Sequence, residues 1–331
     1  LDLPFIKLGK LFLTPDFMMS VSPILLTAAL VTVLFLWLRK LASPGMSLLL
    51  ALAAAFGTML WPYAYIGLET KQSFFVLLCG YLALANGKIR RWPKLLLFAL
   101  TGGLAMTVKS TGIVLWPAFA YLLYVQFRGE WRPRVKQALA VIIVMGGVWV
   151  LGDLARRPYW GPGGYESLRG WLIHSPLQFF SNVIGVFGSP TKGLFVFAPV
   201  LLLSVFAIPR IHRAHRDTVV FALLVTGSIA ALISMLTVTA DEVWGPRYMH
   251  VAVAPLLLCI GAAWPRFEWK KHSVLVGLAV IGLVISFLGA FFYYGLRTFA
   301  STAETQNTME WISTDPVWSE IAFDARVFGV W

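Results

Sequence analysis

Three cations in this chain stand at the edges of long apolar runs, and their types suit the binding of an anion. Lys109 lies in AMTVKSTGIVLWP, in a tight turn between two apolar segments. It fits either a lysine snorkelling at a helix end or a cation for an anionic headgroup. Lys192 lies in FGSPTKGLFVFAP. Ser189-Pro190 makes a turn, Gly193 lets backbone come close to a ligand, and an apolar segment begins directly after the lysine. The free N–H groups of a helix start suit a phosphate; a plain interfacial lysine is the alternative. Arg247 lies in VWGPRYMH, where Gly245-Pro246 predicts a tight turn into a helix. Its guanidinium can take a phosphate at two points, or close a helix-end salt bridge to Asp241 or Glu242.

Carboxylates lie close by in the sequence. Asp241 and Glu242 are adjacent, so on a helix they would point about 100° apart; in a loop both could face a cleft. Either could act as a general base, bind a metal or neutralise Arg247. Glu69 and Lys71 belong to WPYAYIGLETKQS. There Trp61, Tyr63 and Tyr65 read as an interfacial aromatic belt, and Glu69 opens the next helix, where an acid is favoured. The catalytic candidates are therefore Asp241, Glu242 and Glu69, and the phosphate-binding candidates are Lys109, Lys192 and Arg247. Tyr248, Tyr63 and Lys71 are further binding candidates. His174, His212, His215 and His250 lack metal spacing; His212 and His215 sit in the basic loop PRIHRAHRD, which reads as a solvated face. Neither a metal nor a cofactor is called for. No phosphate-loop or dinucleotide fingerprint occurs, so nucleotide binding has no support.

The elements that must position these residues are membrane spans. The chain has 331 residues, 59% of them hydrophobic and 13% charged, whereas soluble domains are about 25% charged. A spanning helix needs about 20 apolar residues. Ten segments qualify: 20–38, 46–63, 71–86, 93–108, 110–127, 136–153, 193–209, 218–239, 248–264 and 273–294. Pro62, Pro117, Pro199 and Pro255 fall inside them, which a membrane bundle accommodates. Cys79 and Cys259 each lie in an apolar run and read as small hydrophobes.

The net charge of +12 follows from topology rather than from nucleic acid. Alternate connections hold Arg39 and Lys40; Lys88, Arg90, Arg91 and Lys94; Arg128, Arg132, Arg134 and Lys136; Arg210, Arg213 and Arg216; and Arg266, Lys270 and Lys271. Their only acids are Glu130, Asp217 and Glu268. Basic connections stay in the cytoplasm. The other face, with residues 1–19, 64–70, 154–192, 240–247 and 295–331, is then outside and is where function is expected. Within 154–192, YESLRGWLIHSPLQFFSNV predicts an interfacial helix, and LDLPFIKLGKLFL at the start suits another. The shared ligand most natural to the three outer cations is a lipid phosphate.

Four segments carry a family resemblance: FGTMLWPYAYIGLETKQSFFVLL, GLAMTVKSTGIVLWPAFAYLL, SPTKGLFVFAPVLLL and WGPRYMHVAVAPLL. In order and spacing they resemble the bacterial polyprenol-phosphate-sugar-dependent glycosyltransferases of the GT-C superfamily, relatives of the protein O-mannosyltransferases and of the lipid A aminoarabinose transferase. STDPVWSEI resembles the end of such chains. The resemblance implies an all-α polytopic GT-C fold, with 1–294 as the transmembrane bundle and 295–331 as a periplasmic tail. It also implies a bacterial inner-membrane location, a polyprenyl-phosphate sugar as donor, and periplasmic transfer to an acceptor hydroxyl. By position, Lys109, Lys192 and Arg247 would contact the donor phosphate, and Glu69 matches the acid that opens the corresponding helix.

Two departures stand out. The first span and acidic outer loop of such enzymes have no counterpart before residue 20, so this chain is expected to lack its first segment. The usual glycine- and aromatic-rich lead-in to GPRY is here TADEV. The alternatives to an enzyme are a non-catalytic membrane subunit of a larger complex and, third, a lipid or solute transporter. The last expects charge near mid-membrane, where these spans have little.

Overall fold

In the computed structural model, residues 15–65, 68–85, 91–129, 131–160, 175–190, 192–211, 213–236, 246–266 and 269–291 are described. Asp241 and Glu242, the leader 1–13, most of the 154–192 connection's centre and the tail 295–331 lie outside them. The helices are α1 (Pro15–Leu41), α2 (Pro44–Phe56), α3 (Leu68–Gly80), α4 (Arg91–Val108), α5 (Trp116–Phe127), α6 (Trp131–Trp160), α7 (Pro176–Gly188), α8 (Leu194–Phe197), α9 (Leu202–Ala207), α10 (Arg216–Ser234), α11 (His250–Ala263) and α12 (Trp269–Phe291). Among the described residues there is no strand.

Among the described residues, four stretches are long and apolar enough to cross a membrane: Val21–Leu41, Arg134–Ala155, Arg213–Ser234 and Ser273–Ala290. The architecture is in keeping with a helical membrane protein. Of the other expected spans, 93–108 is helical throughout within α4, and the rest are helical but shorter or interrupted, for local reasons. The 46–63 segment stops at Phe56, because Gly57 caps α2 and the Thr58 hydroxyl turns back to the Ala54 carbonyl. The 193–209 segment breaks into α8, a 3₁₀ turn at Pro199–Leu201, α9 and a second turn at Ile208–Arg210. Pro199 and Pro209 each lack the N–H a continuous helix needs. The 136–153 segment instead overruns its expected end, continuing as α6 to Trp160.

Two helices form the axis. α11 is apolar around its whole circumference apart from His250, and each of its residues from His250 to Ala262 is buried. A helix apolar on all sides belongs inside. α3 packs beside it, and α1 against both. α6 lies outside against α4, and α12 against α2; both present large apolar side chains outward, Ile143 and Leu151 on α6 and Val274 on α12.

Hydrogen bonds define the two ends of this bundle. At one end Ser43 N–H donates to the Pro265 carbonyl, and both Lys94 and Gln126 donate to the Ala83 carbonyl. That carbonyl lies in the π-helical turn Tyr81–Ala85 that ends α3. A π turn leaves a carbonyl without its usual i+4 partner, and the two side chains supply one. Here too Asp217 accepts from Tyr121 (2.6 Å) and Arg128 (3.0 Å). Arg39, Lys40, Arg91, Arg128 and Arg216 all belong to this end, as the loop charges predict. Arg128 is half exposed, so Asp217→Asn is expected to leave the thermal midpoint nearly unchanged, read by thermal unfolding in detergent.

At the opposite end α12 crosses the chain at Gly57. A Cβ on Gly282 would lie 2.2 Å from the Gly57 carbonyl oxygen. Backbones approach this closely only where both residues are small. The crossing lets Ser286 donate to the Thr58 carbonyl at 2.8 Å. The stretch expected to form an interfacial helix is helical over its described end, as α7. Its N-cap is Ser175, followed by Pro176 at its first position. Asn182 ties it to the end of α10 by donating to the Ser234 and Leu236 carbonyls, while Leu177, Phe180 and Ile184 face outward.

Candidate functional site

α3 begins with five consecutive polar residues, Glu69, Thr70, Lys71, Gln72 and Ser73, and every one is at least 96% buried. Burying unpaired polar groups costs free energy, so each needs a partner from another element. Thr70 donates to the Tyr63 carbonyl at 3.1 Å, across the connection that enters α3. Gln72 donates to the Ala105 carbonyl of α4 at 3.3 Å. Glu69 and Ser73, four apart, share one face of the helix; Lys71 faces away from them and is buried as well.

Glu69 is the centre of the arrangement. Its Oε1 accepts from Lys109 Nζ at 2.8 Å, and Arg247 Nε lies 3.3 Å from the same oxygen, an ionic contact without hydrogen-bond geometry. Lys109 follows the last residue of α4, where the backbone turns extended into a 3₁₀ stretch over Ser110–Leu115. Arg247 opens the 3₁₀ turn Arg247–Met249 that leads into α11, capped by Pro246, whose carbonyl accepts from Met249 N–H at 2.8 Å. Pro246 thus stands one residue ahead of the helical turn. Burial opposes ionisation of Glu69, but the adjacent Lys109 and Arg247 outweigh it, and the carboxyl is held below its usual range.

Tyr248 is the floor shared by both cations. Lys109 Nζ lies 4.0 Å from its ring centroid and the Arg247 guanidinium carbon 5.1 Å; Arg247 also donates to the Tyr248 hydroxyl at 3.3 Å. Two cations against one carboxylate leave an excess of positive charge. Lys109 and Arg247 keep 15% and 24% of their side-chain exposure, so this charge is accessible from the bundle end. An anion is the ligand such a cradle takes: Arg offers a planar fork, Lys a point charge, and partial exclusion of water strengthens both.

His250, fully buried, begins α11 one turn below Arg247. Its Nδ1 lies 2.7 Å from Ser73 Oγ, and Ser73 Oγ also lies 2.8 Å from the Glu69 carbonyl oxygen. The Tyr63 ring meets the imidazole edge-on, with centroids 5.6 Å apart. Tyr63 itself is fully buried.

The structure brings together the expected binding residues Lys109, Arg247 and Tyr248 with the catalytic candidate Glu69, and Tyr63 lies one layer away. Glu69 is more than a helix-opening acid, and it is Glu69 that pairs with Arg247 among the described carboxylates. Lys192 is half-buried in the connection from α7 to α8. The close approach that Gly193 permits is to its own turn: a Cβ there would meet the Ser189 backbone at 2.4 Å, and Gly193 N–H donates to the Ser189 carbonyl. The helix that follows is a single turn, Leu194–Phe197, rather than the start of a continuous span. Ser73, Gln72 and His250 escape sequence reasoning. Their signal is a five-residue polar run inside an otherwise apolar helix, and a histidine one turn after the arginine. Among the described residues no group of three or more His, Cys, Asp or Glu could hold a metal. Comparison with protein-family models, curated proteins and solved structures finds no match to this chain.

Proposed function

We propose that this chain is an integral membrane glycosyltransferase that moves a sugar from a polyprenyl-phosphate donor to an acceptor hydroxyl. The observation that carries it is the convergence of Lys109 and Arg247, from two separate elements, on one buried carboxylate and one aromatic ring at the bundle end. An acceptor hydroxyl attacks the anomeric carbon, the bond from that carbon to the phosphate oxygen breaks, and the phosphate leaves with the negative charge. Lys109 and Arg247 stabilise that charge as it develops. Glu69, held ionised between them, sets their positions; that role leaves it a poor proton acceptor. The acceptor's proton then goes to another carboxylate, for which Asp241 and Glu242 remain the candidates in this chain. Lys192 is the third candidate for the donor phosphate. The ten-span reading, with the cradle on the periplasmic face of a bacterial inner membrane, belongs to the same proposal. It is supported by the basic residues gathered at the other end of the bundle.

Replacing Lys109 or Arg247 by Gln is expected to lower sugar transfer from a lipid-phosphate donor by about 100-fold or more each. Lys192→Ala is expected to cost less. Transfer in membranes, normalised to the amount of folded protein, is the measurement; wild-type rates for both Gln variants would sink the proposal. A second reading draws on the same ion pair. Because Glu69 already engages both cations, the cluster also suits a non-catalytic membrane subunit that kept the fold. Such a subunit would bind the donor lipid, or a partner, without turnover in the reconstituted wild type.

A further inference from the structure

His250 carries a nitrogen that the fold leaves unsatisfied. Nε2 is buried and has no hydrogen-bond partner, which is uncommon for a buried polar atom and calls for a reason. With both contacts of Ser73 Oγ as hydrogen bonds, proton counting fixes what it offers. Ser73 has one hydroxyl proton, and the Glu69 carbonyl 2.8 Å away can only accept. Ser73 therefore donates to that carbonyl, and Nδ1–H donates to Ser73 Oγ at 2.7 Å. The uncharged ring then presents an unshared pair at Nε2, an acceptor waiting for a donor. Two parallel rails place it. Glu69 and Ser73 are one turn apart on α3, and Arg247 and His250 one turn apart at the start of α11. The imidazole is thus about 5–6 Å deeper than the anion cradle.

We infer that His250 Nε2 accepts a hydrogen bond from a hydroxyl of the ligand whose anionic group sits on Lys109 and Arg247, making the site selective for a hydroxyl-bearing phosphoester over a bare one. This rests on the proposed function and specifies it: a hexose carries ring hydroxyls within one helical turn's reach of its anomeric phosphate, and an alkyl ester carries none. Arg247 and Tyr248, half-buried nearer the bundle end, are the side chains that yield as the ligand enters.

The test compares two phosphodiesters of equal charge, citronellyl hexosyl phosphate and citronellyl methyl phosphate, by calorimetric titration of the full chain in detergent. The wild type is expected to prefer the hexosyl ester by about tenfold. His250→Gln puts an amide oxygen at the Nε2 position and should keep most of that preference. His250→Asn reaches only the Nδ1 position, keeps the bond to Ser73, and should lose it. Equal affinities in the wild type, or a preference that survives His250→Asn, would overturn the inference while leaving the anion cradle standing. So would weakening of both esters by the same factor in His250→Asn, the sign of a structural water at Nε2. If the wild type binds neither ester, the proposed function itself fails and the selectivity with it.

Discussion

Glu69→Ala is expected to be the most damaging single change at the polar end of the bundle. It leaves Lys109 and Arg247 together beside the Tyr248 ring without their shared anion. Breaking a buried ion pair from one side costs about 3–5 kcal/mol. The 15% and 24% exposure of the two cations lets water recover part of this, so the lower end applies. Thermal unfolding in detergent should show it as a large drop in midpoint, where Asp217→Asn at the other end shows almost none. The same carboxylate predicts a pH dependence. Its folded-state pKa is depressed, because the Lys109 and Arg247 charges outweigh burial. A group depressed on folding binds more protons when unfolded, so it contributes stability above its ordinary value of about 4.3. That contribution is lost as pH falls through the lower folded value. Wild-type stability should therefore fall in acid by an amount that Glu69→Gln does not share. Parallel acid losses in the two proteins would show that Glu69 is not held this way.

Gly282→Leu is the second large effect, and it has nothing to do with chemistry. The first carbon of any side chain there lands 2.2 Å from the Gly57 oxygen, and backbone cannot step aside as a flexible side chain would. Overpacking typically costs about 1–3 kcal/mol and occasionally more; a backbone clash puts this case at the upper end. α12 must lift away, taking with it the Ser286 bond to Thr58 and the Phe287 contact on Trp61. Gly277→Ala is the matched control. It lies on the same helix with open space around it, and alanine favours helix by about 1 kcal/mol over glycine. A midpoint that falls for Gly282→Leu and holds or rises for Gly277→Ala supports the crossing; equal shifts contradict it.

Much of this arrangement is legible in the sequence, and the remainder is not for identifiable reasons. Helical segments under each apolar run and the basic residues collected at one end follow from hydropathy and charge, and the place of Lys109 and Arg247 at the span edges follows from the cost of burying a cation. Glu69 as their common partner does not. Its two ion pairs reach across 40 residues to Lys109 and farther still to Arg247, and local pattern carries no information about such distances. The run ETKQS looks like an ordinary polar helix entry; only the burial of all five residues shows otherwise. At Lys192 the local signals, a turn, a glycine and an apolar run, are genuine; what they do not carry is that Pro199 limits the helix after them to a single turn.

The bond between Ser73 and His250 joins residues 177 positions apart, and that separation bears on how the protein is made. At about 5–20 residues per second, ribosomes take about 10–35 s to go from one to the other. Throughout that interval α3 has been synthesised with Glu69 lacking Arg247 and Ser73 lacking His250. A helix carrying five polar residues in one run is poorly suited to wait in hydrocarbon. Its first turns must stay in an aqueous or protein-lined vestibule until α11 arrives, so release of the early helices into lipid is coupled to completion of the late ones. Chains cut before residue 250 would then be retained by the insertion machinery, or degraded, even though most of their apolar segments are complete.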